Sequence, residues 1–404
     1  MVAPGDALAA LLAVVTPVGR AETVPLNLAR GRVLDRAIVA RETLPSFPRA
    51  LMDGFAVRAA DTRGASDSAP AYLRLAGEVL MGTVPDGVVG PYEAMRIHTG
   101  AMLPDGADAV VMMEETNVHG DEVEVLAAAP PGDNVLLPGE DVRAGATAFE
   151  AGTRIDVAVL GGLAALGCVR AGVYAQPRIA VLSTGDEVVP VEASPRAGQV
   201  RDVNAITVAA TIEAAGGIAI AGGIVRDDAP ALTRAAAAAL AGADALILSA
   251  GSSVSHRDIS AGVVAQLGAP GILAHGIAIR PGKPTIVALC GGKPVVGLPG
   301  NPASAVVVAW RIVRPLVRAL GGERNVAAGD GTLDALLALD LPSRPGREDY
   351  VPCRLDYRQN PPLATPIFGE SNLIFTLVRS DGLAIVPFDR SGLHAGERVR
   401  VVAR

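Results

Sequence analysis

Between residues 177 and 320, short apolar runs and helix-like stretches alternate along the chain. The apolar runs are Arg178 to Ser183, Ile218 to Val225, Ala245 to Ser249, Thr285 to Leu289 and Val295 to Leu298. Ala205 to Ala215, Pro230 to Leu240, Ile259 to Leu267 and Ala303 to Leu320 have helical composition. Such alternation predicts βαβ units and a doubly wound, mostly parallel sheet, because strands this apolar need helices on both faces. Pro315 removes a backbone donor from the last helix, which predicts a kink near Ile312.

The flanking segments follow other patterns. Ala7 to Val15 reads as a helix with Asp6 placed to cap it, ended by Pro17. Leu44 to Pro48 carries two prolines, and from Ala71 to Leu137 short runs (Ala71 to Val79, Ala109 to Met113, Glu122 to Leu126) alternate with turn residues. This predicts a small β-rich domain. A helical run around Val157 to Leu166 is expected to pack back beside the first helix, which makes the β-rich part an insertion. After Gly321-Gly322, strands at Tyr350 to Leu355, Leu383 to Val386 and Arg398 to Val402 predict a compact C-terminal β domain.

Composition narrows the function. Half of the 404 residues are hydrophobic but only 3% aromatic, with 46 Gly and 30 Pro, so Ala, Val, Leu and Ile must build several cores. Disorder and collagen are excluded. The longest apolar stretch, Val157 to Val169, falls short of the roughly 18 to 20 residues that span a bilayer, and Met1 to Thr16 lacks a basic start. A soluble, unexported, cytoplasmic protein is expected. Cys168, Cys290 and Cys353 form no C-x-x-C pair, which suits a reducing compartment. A net charge of −7 argues against a nucleic-acid surface. The five histidines have no ligand spacing, and no nucleophile elbow, Walker A loop or dinucleotide fingerprint is present.

In an open α/β sheet the ligand crevice lies at the carboxyl ends of the strands. Here those ends carry Ser183-Thr184-Gly185-Asp186-Glu187, Arg226-Asp227-Asp228 and Ser249-Ala250-Gly251-Ser252-Ser253-Val254-Ser255-His256-Arg257-Asp258. Small residues let backbone N–H groups approach an anion, and Glu187, Asp227 and Asp258 offer a divalent cation, Mg²⁺, a set of hard oxygen ligands. Each loop alone also reads as an ordinary helix cap; three in succession favour a site. Later loops add cations in Arg280-Pro281-Gly282-Lys283-Pro284, and a helix start in Pro299-Gly300-Asn301-Pro302-Ala303-Ser304 whose N–H groups favour an oxyanion. Lys283 and Lys293 are the chain's only lysines among 35 basic residues, so an ammonium at Lys283 suggests a compact point charge for a tetrahedral oxyanion. Lys293 reads as a solvated turn residue. The insert has an acid, Asp53, in a tight turn, Thr99 beside Gly100, and Glu140 with Asp141. Together these fit metal-assisted phosphoryl or nucleotidyl transfer.

Met52-Asp53-Gly54-Phe55-Ala56-Val57-Arg58, His98-Thr99-Gly100-Ala101 with Asp108-Ala109-Val110-Val111, Pro138-Gly139-Glu140-Asp141, Ser183-Thr184-Gly185-Asp186-Glu187 and Gly297-Leu298-Pro299-Gly300-Asn301-Pro302 are collinear over nearly the whole chain. In this the chain resembles the MoeA family of molybdopterin molybdenumtransferases, related to the E domains of gephyrin and plant Cnx1. The resemblance implies a helical linker domain in two parts (residues 1–44 and 142–172) and an inserted β-rich domain (45–141). It further implies an α/β domain like the molybdopterin adenylyltransferases (173–320) and a C-terminal β-barrel (321–404). It also implies insertion of molybdenum from molybdate into adenylylated molybdopterin with release of AMP, by a homodimer with shared active sites and with the molybdopterin adenylyltransferase as a further partner.

By motif position, Asp53, Thr99, Gly100 and Asp141 come from the insert, and Glu187, Asp227 or Asp228, and Asp258 from the α/β domain. The resemblance implies that Arg280, Lys283 and Ser304 hold molybdate or phosphate, with Ser183, Gly185, Ser252, Pro299, Asn301 and Ser371 lining the substrate. Two features depart from the family pattern. Ala250 stands where the loop usually has glycine, and Pro352 where many members carry an arginine, for which Arg347 or Arg354 is a candidate replacement. Two other functions remain as alternatives: molybdopterin adenylylation, against which the inserted domain speaks, and a non-enzymatic gephyrin-like scaffold.

Overall fold

The computed structural model describes residues 1–249, 254–326 and 331–403, with residues 254–258 described by their backbone only. The chain forms two compact units. One comprises Met1–Arg36, Ala151–Ala164 and Cys168–Arg404, and the other Ala37–Glu150 with Ala165–Gly167.

The larger unit is organised by a six-stranded sheet in the order Ile218–Val225, Arg178–Thr184, Ala245–Ser249, Lys293–Leu298, Ile286–Cys290, Pro270–His275. The first four strands are parallel neighbours, and Ile286–Cys290 runs against both of its neighbours, so five of the six strands point the same way. Period-two alternation sorts the side chains onto two faces. Ile179, Val181, Ala245 and Ile247 join a core with Val208, Ile212 and Val306, whereas Ala180, Leu182, Leu246 and Leu248 join a second core with Leu232, Ala236 and Val263. Helices Val203–Ala214 and Pro302–Val308 thus cover one face, and Ala229–Ala241 and Val254–Gln266 the other. The strand Pro270–His275 is absent from the sequence reading because it opens on Pro270-Gly271, two residues that normally break strands and are tolerated at a sheet edge. The expected kink is real: helical residues Pro302–Val308 pass into a wide π turn over Ala309–Val313 before Arg314–Leu320, which absorbs the donor missing at Pro315.

The first helix spans Pro4–Val14 with Pro4 at its start, and Asp6 lies in its first turn instead of capping it. Its buried Ala7 and Leu11 belong to the core on the α/β sheet. The two linker segments are joined by an antiparallel strand pair, Ala21–Pro25 with Arg170–Tyr174, where helix-to-helix packing had been expected.

Beyond the last helix the C-terminal strands close a five-stranded barrel. Glu348–Asp356, Leu363–Pro366, Thr332–Leu337, Arg398–Ala403 and Gly382–Val386 follow one another, and the last pairs back onto the first. A short strand of the α/β domain, Ile279–Arg280, adds to this barrel in parallel, with Ile279 opposite Glu348 and Arg280 opposite Asp349.

The second unit is built on a six-stranded sheet, Ala109–Met112, Gly54–Val57, Glu93–Ile97, Ala71–Val79, Glu122–Val125, Thr116–His119, in which only Ala71–Val79 and Glu93–Ile97 pair in parallel. Its cores again lie on two faces, Ala56 and Ile97 on one, Phe55 and Val57 on the other.

Candidate active site

A cavity of about 520 Å³ opens in the larger unit where the α/β strand ends meet the barrel. Six of the residues expected to hold substrate or oxyanion line it: Arg280, Lys283, Pro299, Asn301, Ser304 and Ser371. The loop carrying the two cations turns sharply through a cis Arg280-Pro281 peptide and Gly282 at φ +125°. Thr285 clamps it, donating its N–H (3.2 Å) and hydroxyl (2.7 Å) to the Gly282 carbonyl, while Ile277 N–H donates to the Lys283 carbonyl at 3.0 Å. Lys283 is thereby held with its side chain exposed at the cavity wall.

Asn301 starts the helix at Pro302, yet its side chain does not cap it. Its Nδ2 donates to Ser371 Oγ at 2.8 Å, and the Ala303 N–H donates to the Ser371 carbonyl at 3.1 Å. The expectation that this helix start offers free N–H groups to an oxyanion is corrected to that extent, since a barrel-domain loop already takes one of them. The cations at this wall are Arg280, Lys283 and a residue for which the sequence left two choices. Arg347 lines the cavity, whereas Arg354 donates its Nε to the Arg379 carbonyl at 3.2 Å and lies outside the lining.

Several lining or supporting residues escaped the sequence reading. Asp349 is 2% exposed and lies 2.8 Å from Arg347 Nε, with Arg347 Nη2 donating to it at 3.1 Å. Arg280 Nη1 is 3.7 Å from the same carboxylate. Tyr350 is buried beside it, with its hydroxyl on Glu348 at 2.7 Å and the Arg311 guanidinium 5.5 Å from its ring. Burial pushes its phenol well above the ordinary range. Ser260, also at the wall, is buried and its hydroxyl has no hydrogen-bond partner among the described residues. Asn204 fastens two strand ends together, donating to Ser249 Oγ and to the Gly300 carbonyl, both at 2.9 Å.

The other predicted residues of the α/β domain gather at the neighbouring strand ends. Asp227 accepts from Thr184 Oγ1 (2.8 Å) and from the Asp186 N–H (3.1 Å), bridging two adjacent strands. Asp228 instead caps the following helix through Ala231 N–H at 2.8 Å, so of the two acids Asp227 is the one that faces the loop. Glu187 is half-buried beside Gly185, whose φ of +151° and contact distances leave no room for a Cβ: Val188 Cγ2 would lie 2.6 Å away. Ser183 is buried, and among the described residues its hydroxyl has no partner. Ser252 and the side chain of Asp258 lie outside the described residues. Among the described residues, no three His, Cys, Asp or Glu side chains come together to hold a metal ion.

In the smaller unit Asp53 and Thr99 form one motif. Asp53 Oδ1 accepts from Thr99 N–H at 2.7 Å and Thr99 Oγ1 at 3.1 Å, with His98 Nδ1 at 3.9 Å. The Thr99 amide, then its hydroxyl, hold the Asp53 carboxyl below the usual carboxylate range. Gly100, at φ +85°, completes this turn with its N–H on the Ala50 carbonyl at 2.7 Å, and Asp141 sits on an exposed bend.

The second lysine is not a solvated turn residue. Lys293 Nζ donates to the carbonyls of Leu240 and Ala241 at 2.7 and 3.3 Å, closing the C-terminal end of helix Ala229–Ala241. The three cysteines are free thiols; burial pushes Cys353 up to about 12 and raises Cys290. No helix among the described residues is long and apolar enough to cross a membrane.

Residues 2–167 match the MoeA N-terminal region (domain I and II), 180–319 a probable molybdopterin binding domain, and 334–403 the MoeA C-terminal region (domain IV). The chain is 33% identical over 385 residues to molybdopterin molybdenumtransferase 2 of Mycobacterium tuberculosis, covering 94% of each. It is 31% identical to the molybdopterin molybdenumtransferase of Bacillus subtilis over 95% of this chain and 90% of that one. The molybdopterin biosynthesis MoeA protein of Pyrococcus horikoshii superposes with a TM-score of 0.83 at 28% identity in one crystal structure, over the whole of both chains. In another the TM-score is 0.73 at 34% identity, over 100% of this chain and 99% of that one. Sequence, domain order and fold agree from end to end, and the chain belongs to the MoeA family of molybdopterin molybdenumtransferases.

Proposed function

We propose that this transferase inserts molybdenum from molybdate into adenylylated molybdopterin, with release of AMP, as the final step of molybdenum cofactor synthesis. The cavity carries the reading: Arg280, Lys283 and Arg347 converge on a wall that also presents Ser304 and Ser371. Cations and hydroxyls on one concave surface suit a tetrahedral oxyanion, which needs both charge neutralisation and directed donors. The unpartnered Ser260 hydroxyl and the Asn204 clamp between Ser249 and Gly300 support a polar ligand that continues toward the strand ends. There Glu187, Asp227 and Asp258 are proposed to take Mg²⁺ against the phosphates, since adjacent phosphates and an oxyanion repel one another unless cations intervene. The described residues supply only two of those three carboxylates, so no step is routed through the ion.

A homodimer with shared active sites is part of the proposal, because Asp53 and Thr99 belong to one compact unit and the cavity to the other. The molybdopterin adenylyltransferase is the corresponding upstream partner. The deciding experiment supplies adenylylated molybdopterin with and without molybdate and measures AMP and molybdenum-loaded cofactor. Both are expected to appear together, and to be lost in Asp227→Asn. Formation of adenylylated molybdopterin from ATP instead would favour the adenylyltransferase, and no product in either direction would favour a scaffold.

A further inference from the structure

Asp349 has a side chain only 3% exposed, although it stands between two arginines at the wall of the cavity. A buried carboxylate costs several kcal/mol of lost hydration unless it is paired, so its partners are not incidental. One partner, Arg347, belongs to the barrel strand's own approach, and the other, Arg280, arrives from the α/β domain. They meet because the Ile279–Arg280 strand pairs in parallel with Glu348–Asp356, which sets Arg280 opposite Asp349. The contacts are unequal. Arg347 is close, at 2.8 and 3.1 Å, whereas Arg280 is 3.7 Å away, too far for a hydrogen bond, and its side chain is 63% exposed. Asp349 therefore fixes Arg347 and biases Arg280 by charge alone, leaving the donors of Arg280 available at the wall. Among the described residues, Asp349 Oδ1 is sealed from solvent and has no partner in hydrogen-bonding geometry, so the link to Arg347 is carried by Oδ2.

We infer that Asp349 is a positioning residue which aims Arg347 and Arg280, from two domains, at one oxyanion in the cavity. This rests on the reading that the cavity receives molybdate. It differs from a simple charge count, because Asp349 is negative and, with Glu370, lowers the positive potential of the wall. If potential alone governed binding, removing its charge would tighten the oxyanion; if aim governs it, removal loosens it. The sign separates the two.

The experiment is calorimetric titration of the full chain with sodium molybdate alone. Asp349→Asn is expected to weaken binding by roughly tenfold, the scale of one charge-assisted hydrogen bond, and Asp349→Glu to recover most of it. Arg347→Lys keeps the charge but loses the planar fork, and is expected to weaken binding to a similar degree; it carries the test if Asp349→Asn does not fold. Adding Arg347→Lys to Asp349→Asn is expected to cost little more than either alone. Unchanged or tighter molybdate binding in Asp349→Asn, or in Arg347→Lys, overturns the inference while the parent's binding leaves the functional reading standing. A parent that takes up no molybdate overturns both.

Discussion

The loop that carries Arg280 and Lys283 depends on a residue that has no side chain at all. Gly282 has φ +125°, and a Cβ there would lie 2.5 Å from Val308 Cγ2 and 3.0 Å from Ile279 Cγ2. Val308 is fully buried and Ile279 2% exposed, so neither has space to retreat. Gly282→Ala should cost about 1–2 kcal/mol for the backbone conformation and about 1–3 kcal/mol for overpacking, together roughly 2–5 kcal/mol. Gly291 is the control: its φ is +56°, but an added methyl would meet nothing within 4 Å, so Gly291→Ala should cost only the backbone share, about 1 kcal/mol. Trp310, the single tryptophan, packs against the same core and makes urea unfolding of this region visible by fluorescence. Because Gly282 and Thr285 hold the Lys283 backbone in place, Gly282→Ala should also weaken molybdate binding, whereas Gly291→Ala should not. If the two variants unfold within about 0.5 kcal/mol of each other and bind molybdate alike, the packing argument is wrong.

Three other perturbations separate structural from ligand-binding charges. Burial opposes the charge on Glu323, yet Arg318 (2.9 Å) and Arg154 (3.2 Å) outweigh it and hold its carboxyl below the ordinary range. A lowered folded pKa stabilises the protein above the unfolded value near about 4.3, and that share is lost as pH falls through the folded value. Glu323→Gln should therefore lower the free energy of urea unfolding at pH 7 by about 3 kcal/mol and flatten its fall between about pH 5 and 3; parallel pH profiles for parent and variant would contradict this. Lys293→Ala should cost about 1 kcal/mol through the helix end it closes without altering a molybdate titration, and Lys283→Arg should do the reverse. Asp53→Asn keeps an acceptor for Thr99 but removes the charge, so AMP release should fall while circular dichroism stays unchanged. Since Asp53 is held below the usual carboxylate range, the parent's rate should show no inflection from it above about pH 5.

What could be read in advance follows the range over which each residue acts. Ala245–Ser249 was legible because its apolar composition is local and both its faces are covered, and Ile218–Val225, half-exposed at the sheet edge, by its local apolar run alone. Lys283 stood out because an ammonium is rare in this chain, and the structure puts it at the cavity wall; Asp227 stood out because acids after consecutive strands accumulate at one end of a sheet, where it bonds Thr184. The same local signs misread Asp6 and Lys293. Each is the right residue type for a local role, but a first turn and a distant helix end decided otherwise, while Asn301 starts its helix as read and gives its side chain to Ser371. Asp349 was not legible at all. In Arg347-Glu348-Asp349-Tyr350 it is one polar residue among several, and its meaning comes from a register that places Arg280 opposite it across two domains. Asn204 is the same case, an amide after a helix cap whose partners are two other strand ends. The loops of this site are written in local sequence, but the wall that turns them into a cavity is written in strand pairing. Substitutions that disturb the pairing between Ile279–Arg280 and Glu348–Asp356 should therefore impair oxyanion binding even when every lining side chain is retained.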